Sequence, residues 1–196
     1  MQRRNFMLQS TAVLALGGLA LAGCTTTSNK GDQKTAGDTD ARRAIDSEVD
    51  ATLQRLYATV RGSQELVSKA RGVLVFPSVI QAGLGIGGQY GKGSLRVGGS
   101  TVGYYSTTSL SVGLTAGAQS KALIFLFMTP EALEKLRNSK GWAAGVDASV
   151  AVVKVGANGA IDTATATSPV EAFVLTNAGL MADVSVQGTK VNPLDL

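Results

Sequence analysis

The residues able to do chemistry are few. The 196-residue chain has no histidine and one cysteine, so composition excludes a Ser-His-Asp triad, a cysteine–histidine pair and a histidine-rich zinc site. Carboxylates remain. Asp147, Asp162, Glu171 and Asp183, in the C-terminal half, are acids of which two could converge as general acid and base. They fall in no hydrolase motif and read as solvated strand ends and turn formers. Asp147, Asn158 and Asp162 carry oxygen ligands, but their spacing is not that of an EF-hand loop. The sequence therefore leads to an expectation of no enzyme activity, no metal and no cofactor.

Basic residues are distributed more tellingly. Between Glu65 and Glu131 there is no acidic residue, while Lys69, Arg71, Lys92, Arg96 and Lys121 fall in that interval. Brought onto one face, these five would form a positive patch worth about 1 kcal/mol per cation at an anionic membrane surface. Scattered over several faces, they would be ordinary solvated charges. Nucleic acid is disfavoured, because no basic helix clusters these charges.

Cys24 has its own context. Met1-Gln2-Arg3-Arg4 is followed by the apolar run Ala12-Val13-Leu14-Ala15-Leu16-Gly17-Gly18-Leu19-Ala20-Leu21-Ala22, which ends on Gly23-Cys24. Basic, apolar and small-residue regions in that order read as a secretory signal, residues 1–23, to be removed. Eleven residues rise only about 16 Å as a helix, roughly half of a hydrocarbon core. Leu21-Ala22-Gly23-Cys24 resembles the lipobox of bacterial lipoproteins, which implies acylation of the Cys24 thiol and attachment to a membrane. A lone cysteine offers no internal disulfide in an oxidising compartment. Arg3-Arg4-Asn5-Phe6 resembles a twin-arginine export signal, with the general secretory route as the alternative. Thr25, where an aspartate would resemble an inner-membrane retention signal, leans toward the outer membrane facing the periplasm. Loss of Arg3 and Arg4 lowers the net charge from +4 to +2.

These groups must be positioned by the elements that follow. Residues 24–40 are polar with Ala36 as the only apolar residue after the cysteine, and they read as a flexible tether spanning about 22 Å. From Ala41 a single domain, 41–196, begins. Ile45, Val49, Leu53, Leu56 and Val60 form a helical stripe; it could enter a bilayer, though such a stripe usually faces its own core. Gly62-Ser63 interrupts it, with Ser63 as cap of a short helix ending at Lys69. Strand patterns then occupy 72–76, 80–90, 94–97, 101–105, 110–119 and 122–128. Thr129-Pro130-Glu131 starts a helix to about Asn138, and strand signals return at 146–155, 171–176 and 180–186. Without crossover helices the sheet should be mainly antiparallel. The expected fold is α+β: a glycine-rich, strongly bent sheet or partial barrel of about eight strands with N-terminal helices against it.

Twenty-four glycines concentrate in the strands. Gly83-Leu84-Gly85-Ile86-Gly87-Gly88 lacks the helix start that a phosphate-binding loop requires, so these glycines read as close-approach positions in curved strands. Tyr90, Tyr104, Tyr105 and Trp142 are candidates for a lipid interface or, more commonly, for core packing with a polar tip outward.

Three ordered blocks carry a resemblance. Lys69-Ala70-Arg71-Gly72-Val73-Leu74-Val75-Phe76-Pro77, then Gly141-Trp142-Ala143-Ala144-Gly145-Val146-Asp147-Ala148-Ser149-Val150, then Gly179-Leu180-Met181-Ala182-Asp183-Val184-Ser185-Val186-Gln187-Gly188-Thr189 resemble the SYLF lipid-binding domain, over about residues 45–192. That family also occurs in SH3-containing actin-patch proteins of eukaryotes. Asp183 and Gln187 stand where many eukaryotic members have glycine and glutamate. The resemblance implies binding of anionic phospholipid, with actin binding in some members. The alternative is an envelope scaffold that contacts other proteins and binds no lipid.

Overall fold

The structure, a computed structural model, describes residues 30–154, 160–161, 167–177, 179–181 and 185–196, with side chains at 37–82, 87–110 and from 119 onward within those spans. The signal segment, Cys24, Asn158, Asp162 and Asp183 lie outside the described residues. Helix α1 (Lys30–Thr59) and α2 (Ser63–Lys69) precede two long strands, β1 (Gly72–Val97) and β2 (Ser100–Phe127). Helix α3 (Pro130–Asn138) follows, then β3 (Trp142–Ala143), β4 (Val150–Val152), β5 (Val170–Thr176), β6 (Gly179–Leu180) and β7 (Lys190–Pro193).

The class is α+β, with an open, strongly curled and mostly antiparallel sheet. Seven strands are present among the described residues, in the order β3-β7-β2-β5-β4, with β1 on β2 and β6 on β5; only β4 and β5 pair in parallel. The six short strands expected between residues 72 and 128 are two continuous ones. Of the bulges at Phe76/Val79, Gly83/Gly85 and Leu95/Arg96, the first falls at an expected break and kinks the strand without ending it, while at 91–93 and 106–108, also expected breaks, the ladder runs on in register.

One turn and one close approach give this hairpin its shape. Gly98 and Gly99, at φ +59° and +83°, supply the two left-handed residues that a two-residue hairpin turn needs. At Gly93 a Cβ would fall on the Val75 carbonyl oxygen and against Phe76, and at Gly91 it would lie 2.8 Å from the Ser78 carbonyl oxygen. The hairpin is therefore folded back so that its tip half lies on its base half. Only a strand without side chains there permits that contact.

Two apolar layers hold the sheet. Leu74, Phe76, Phe125, Phe127 and Trp142 pack with Leu133 and Leu136 of α3. On the other side Val73, Val75, Ile124, Leu126 and Phe173 meet Ile45, Val49, Leu56 and Val60 of α1. The stripe of α1 thus faces its own domain. The helix starts at Lys30, eleven residues before the expected Ala41, so the second part of the expected tether is helical. Once a packed helix is nucleated, each further residue adds a hydrogen bond at little cost. Ser63 is not the cap of α2. Gly62 is, at φ +84°, and the Ser63 hydroxyl donates to the Val60 carbonyl at 2.6 Å. Helix α3 begins as read, with Thr129 Oγ1 accepting from the Ala132 amide at 3.3 Å and Pro130 following it.

Candidate functional site

The five basic residues occupy different places. Lys69, in the last turn of α2, pairs with Glu65 at 2.7 Å on an exposed surface, and the ammonium holds that carboxyl below its ordinary range. Arg71 is exposed two residues later, and its amide donates to the Phe127 carbonyl at 2.8 Å. Lys92 is exposed on β1. Among the described residues nothing pairs with its ammonium.

Arg96 is held within the fold. Its side chain is 16% exposed, with the guanidinium 2.9 Å from Asp50 and 3.6 Å from Asp46. It also donates to the Asp46 carbonyl at 3.3 Å. Asp46 further accepts from Thr101 Oγ1 and from the Tyr104 hydroxyl, each at 2.8 Å. Burial and this carboxylate raise the Tyr104 phenol above its ordinary range, and Arg42 lies 5.8 Å over the Tyr104 ring. Arg96 therefore clamps the hairpin tip to α1. Its partners lie about fifty residues away in the chain, which no local pattern discloses.

Lys121 is half-buried, opposite Val79 in the ladder. It lines a cavity of about 150 Å³ with Gln81, Gln119, Ser120, Thr176 and Met181. Burial pushes its ammonium pKa down. Because Gly91 lies against Ser78 and Val79, Lys92 and Lys121 belong to the two arms of the same fold-back. The acid-free interval is thus one object, the whole β1–β2 hairpin, with Arg71 at its base.

The described acids make no acid–base pair. Asp147 Oδ2 accepts from the Ala143 amide at 2.6 Å and closes a turn, as read. Glu171 overturns the solvated reading: it is fully buried in β5, where Oε1 accepts from the Ser168 amide at 3.0 Å and Oε2 has no partner among the described residues. Burial raises its carboxyl above the ordinary range. No cluster of metal-ligating side chains occurs among the described residues. The stretch 83–88 runs inside β1, so no helix start faces it.

Of the four aromatic candidates, Trp142 is buried edge-on between Phe125 and Phe127, at 5.9 and 5.6 Å. Tyr105 is buried and Tyr104 is held by Asp46. Tyr90 alone is exposed. It belongs to a surface the sequence reading missed. β7 pairs with β2 at 105–108 and β5 pairs with it at 122–127, so at 109–121 the hairpin is only two strands wide among the described residues. There the outward residues include Ile80, Ala82, Gly88, Tyr90 and, opposite Gly88, Leu110, which is 86% exposed. The inward residues include Gln81, Gln89 and Ser109 with Gly87, Gly91 and Thr107. On this face the exposed apolar side chains Ile80, Tyr90 and Leu110 stand beside the exposed polar side chains Ser120, Thr108 and Lys92. The apolar Ile80, Ala82 and Tyr90, an even number of residues apart in the strand pattern, were the available signal. No described helix is long and apolar enough to cross a membrane.

Residues 108–195 match a protein-family model described as Ysc84, Las17-binding protein actin regulator. No curated protein matches the chain. The match runs from within β2 to the end of β7 and takes in the second and third sequence blocks, while the first block, 69–77, precedes it.

Proposed function

We propose, from the premise that residues 108–195 carry a SYLF-type domain, that this protein binds the surface of anionic membranes through its β1–β2 hairpin and acts by binding rather than catalysis. The observation that carries this reading is the hairpin itself: 72–127 contain no acidic residue, and Lys92 stands exposed and unpaired on it. Arg71 and Lys69 extend the positive charge at its base. An exposed pair such as Lys69–Glu65 is weak enough to open toward a headgroup. Lys121 contributes from its side cavity, and Arg96 through positioning of the hairpin tip. An acylated Cys24 would hold the domain at the outer membrane, facing the periplasm.

The test is co-sedimentation of residues 24–196 carrying Cys24→Ser, which keeps every described residue, with phosphatidylglycerol–cardiolipin vesicles. We expect binding that falls steeply with salt. At about 1 kcal/mol per cation, Arg71→Ala with Lys92→Ala should weaken it roughly thirtyfold. Equal binding to neutral phosphatidylcholine vesicles, or indifference to the double substitution, would overturn the reading. The matched family's description names a protein ligand, which favours a second reading in which the same hairpin contacts a protein of the envelope; in-cell crosslinking from position 92 that returned one abundant protein and no lipid would support it.

A further inference from the structure

We propose that the bend of the β1–β2 hairpin is a shallow membrane-insertion element that seats its outward apolar face at the headgroup–acyl boundary; this rests on the lipid-binding reading above. In a sheet with one solvated face the apolar residues turn inward, and a one-residue change of register reverses every side chain. Here the register is set by pairing on both sides of the bend, from Gly72↔Phe127 to Gly83↔Gly117 and from Gly85↔Gly113 to Val97↔Ser100, interrupted by the bulges described above. That pairing turns Ile80, Tyr90 and Leu110 outward, with 55%, 49% and 86% of their surface exposed. Three large apolar side chains held in solvent along one narrow ribbon call for an apolar occupant.

The order of residues along the outward face identifies it. Toward the tip, β1 presents Gly88 beside Leu110, then Tyr90, then Lys92. Apolar, aromatic and cationic side chains in that order match the acyl region, the interfacial aromatic belt and the anionic headgroups of a bilayer. A protein partner would need no such ordering. Depth is limited by the backbone: between β7 and β5 the ribbon edge has no partner strand among the described residues, and backbone amide and carbonyl groups at such an edge cannot enter hydrocarbon. Insertion therefore stops at about 5–10 Å, where headgroups and water still satisfy that edge.

The experiment places an environment-sensitive nitrobenzoxadiazole label on Leu110→Cys in residues 24–196 with Cys24→Ser, and on Ser100→Cys, exposed at the hairpin tip, as a reference. With phosphatidylglycerol–cardiolipin vesicles the label at 110 should brighten, shift to the blue and be quenched by shallow spin-labelled lipid, while the label at 100 stays unchanged. Leu110→Asp should weaken vesicle binding about tenfold through loss of one buried leucine, with the thermal midpoint unchanged because the site is exposed. Vesicle pelleting without any change at 110 would overturn insertion and leave electrostatic binding standing. Absence of pelleting would overturn both. A change at 110 that grows with protein concentration without vesicles would overturn it in favour of a second copy at the ribbon edge.

Discussion

A buried carboxyl with half of its hydrogen bonds made is a costly group to ionise. Glu171 Oε1 takes the Ser168 amide while Oε2 is left without a described partner, and burial lifts its pKa above the ordinary 4.5. The folded state then holds the proton more tightly than the unfolded one. This stabilisation is fully present below the ordinary carboxyl pKa and is lost as pH rises through the raised value. Glu171→Gln mimics the protonated form, so the variant should have a higher thermal midpoint than the parent at pH 7.5 and a matching one at pH 4. A thermal-melt series over pH checks this, and equal midpoints at pH 7.5 would contradict it. From sequence Glu171 read as a strand-end charge. Strand β5 lies between β2 and β4, and coverage of both its faces is set by elements distant in the chain.

At the scale of the element, the hairpin depends on the missing side chain of Gly93. A methyl group there meets the Val75 carbonyl and the Phe76 ring, and a backbone oxygen in a ladder cannot step aside. Gly93→Ala should cost about 3 kcal/mol and lower the thermal midpoint by about 10 °C. Gly88→Ala, where nothing lies within 4 Å of the added carbon, should leave it unchanged. Calorimetry of the two variants checks the contrast. The sequence made Gly93 legible as a close-approach residue but not what it approaches. Helix α3 was legible to its first residue because Thr129, Pro130 and Glu131 signal locally. β3 and β7, two and four residues long, carry no period to read and exist through their pairing with each other and with β2.

For the whole molecule, the anchor and the domain surface are separable. Acyl chains on Cys24 would hold the protein at its membrane whatever the hairpin does, so hairpin affinity would serve contact with a particular lipid or with a second bilayer. After a high-salt wash, which releases the hairpin's electrostatic contact, Cys24→Ser should move the protein from the membrane fraction to the soluble fraction, whereas Leu110→Asp should leave it in the membrane fraction. Fractionation with immunoblotting reads both. A Cys24→Ser protein still retained in the membrane fraction would contradict acylation as the main attachment. α1 has one more consequence. It touches the base of the hairpin through Val73 and Val75 and its tip through Arg96, the two ends of a ladder whose glycine-rich middle offers few side chains to distinguish one pairing from the next. A slip of β2 along β1 by two residues would keep the alternation of faces intact, but with β1 held by Arg96 it would carry Thr101 and Tyr104 about 7 Å from Asp46, which both now reach. α1 is thus a ruler laid along the hairpin, admitting a single length of zipper.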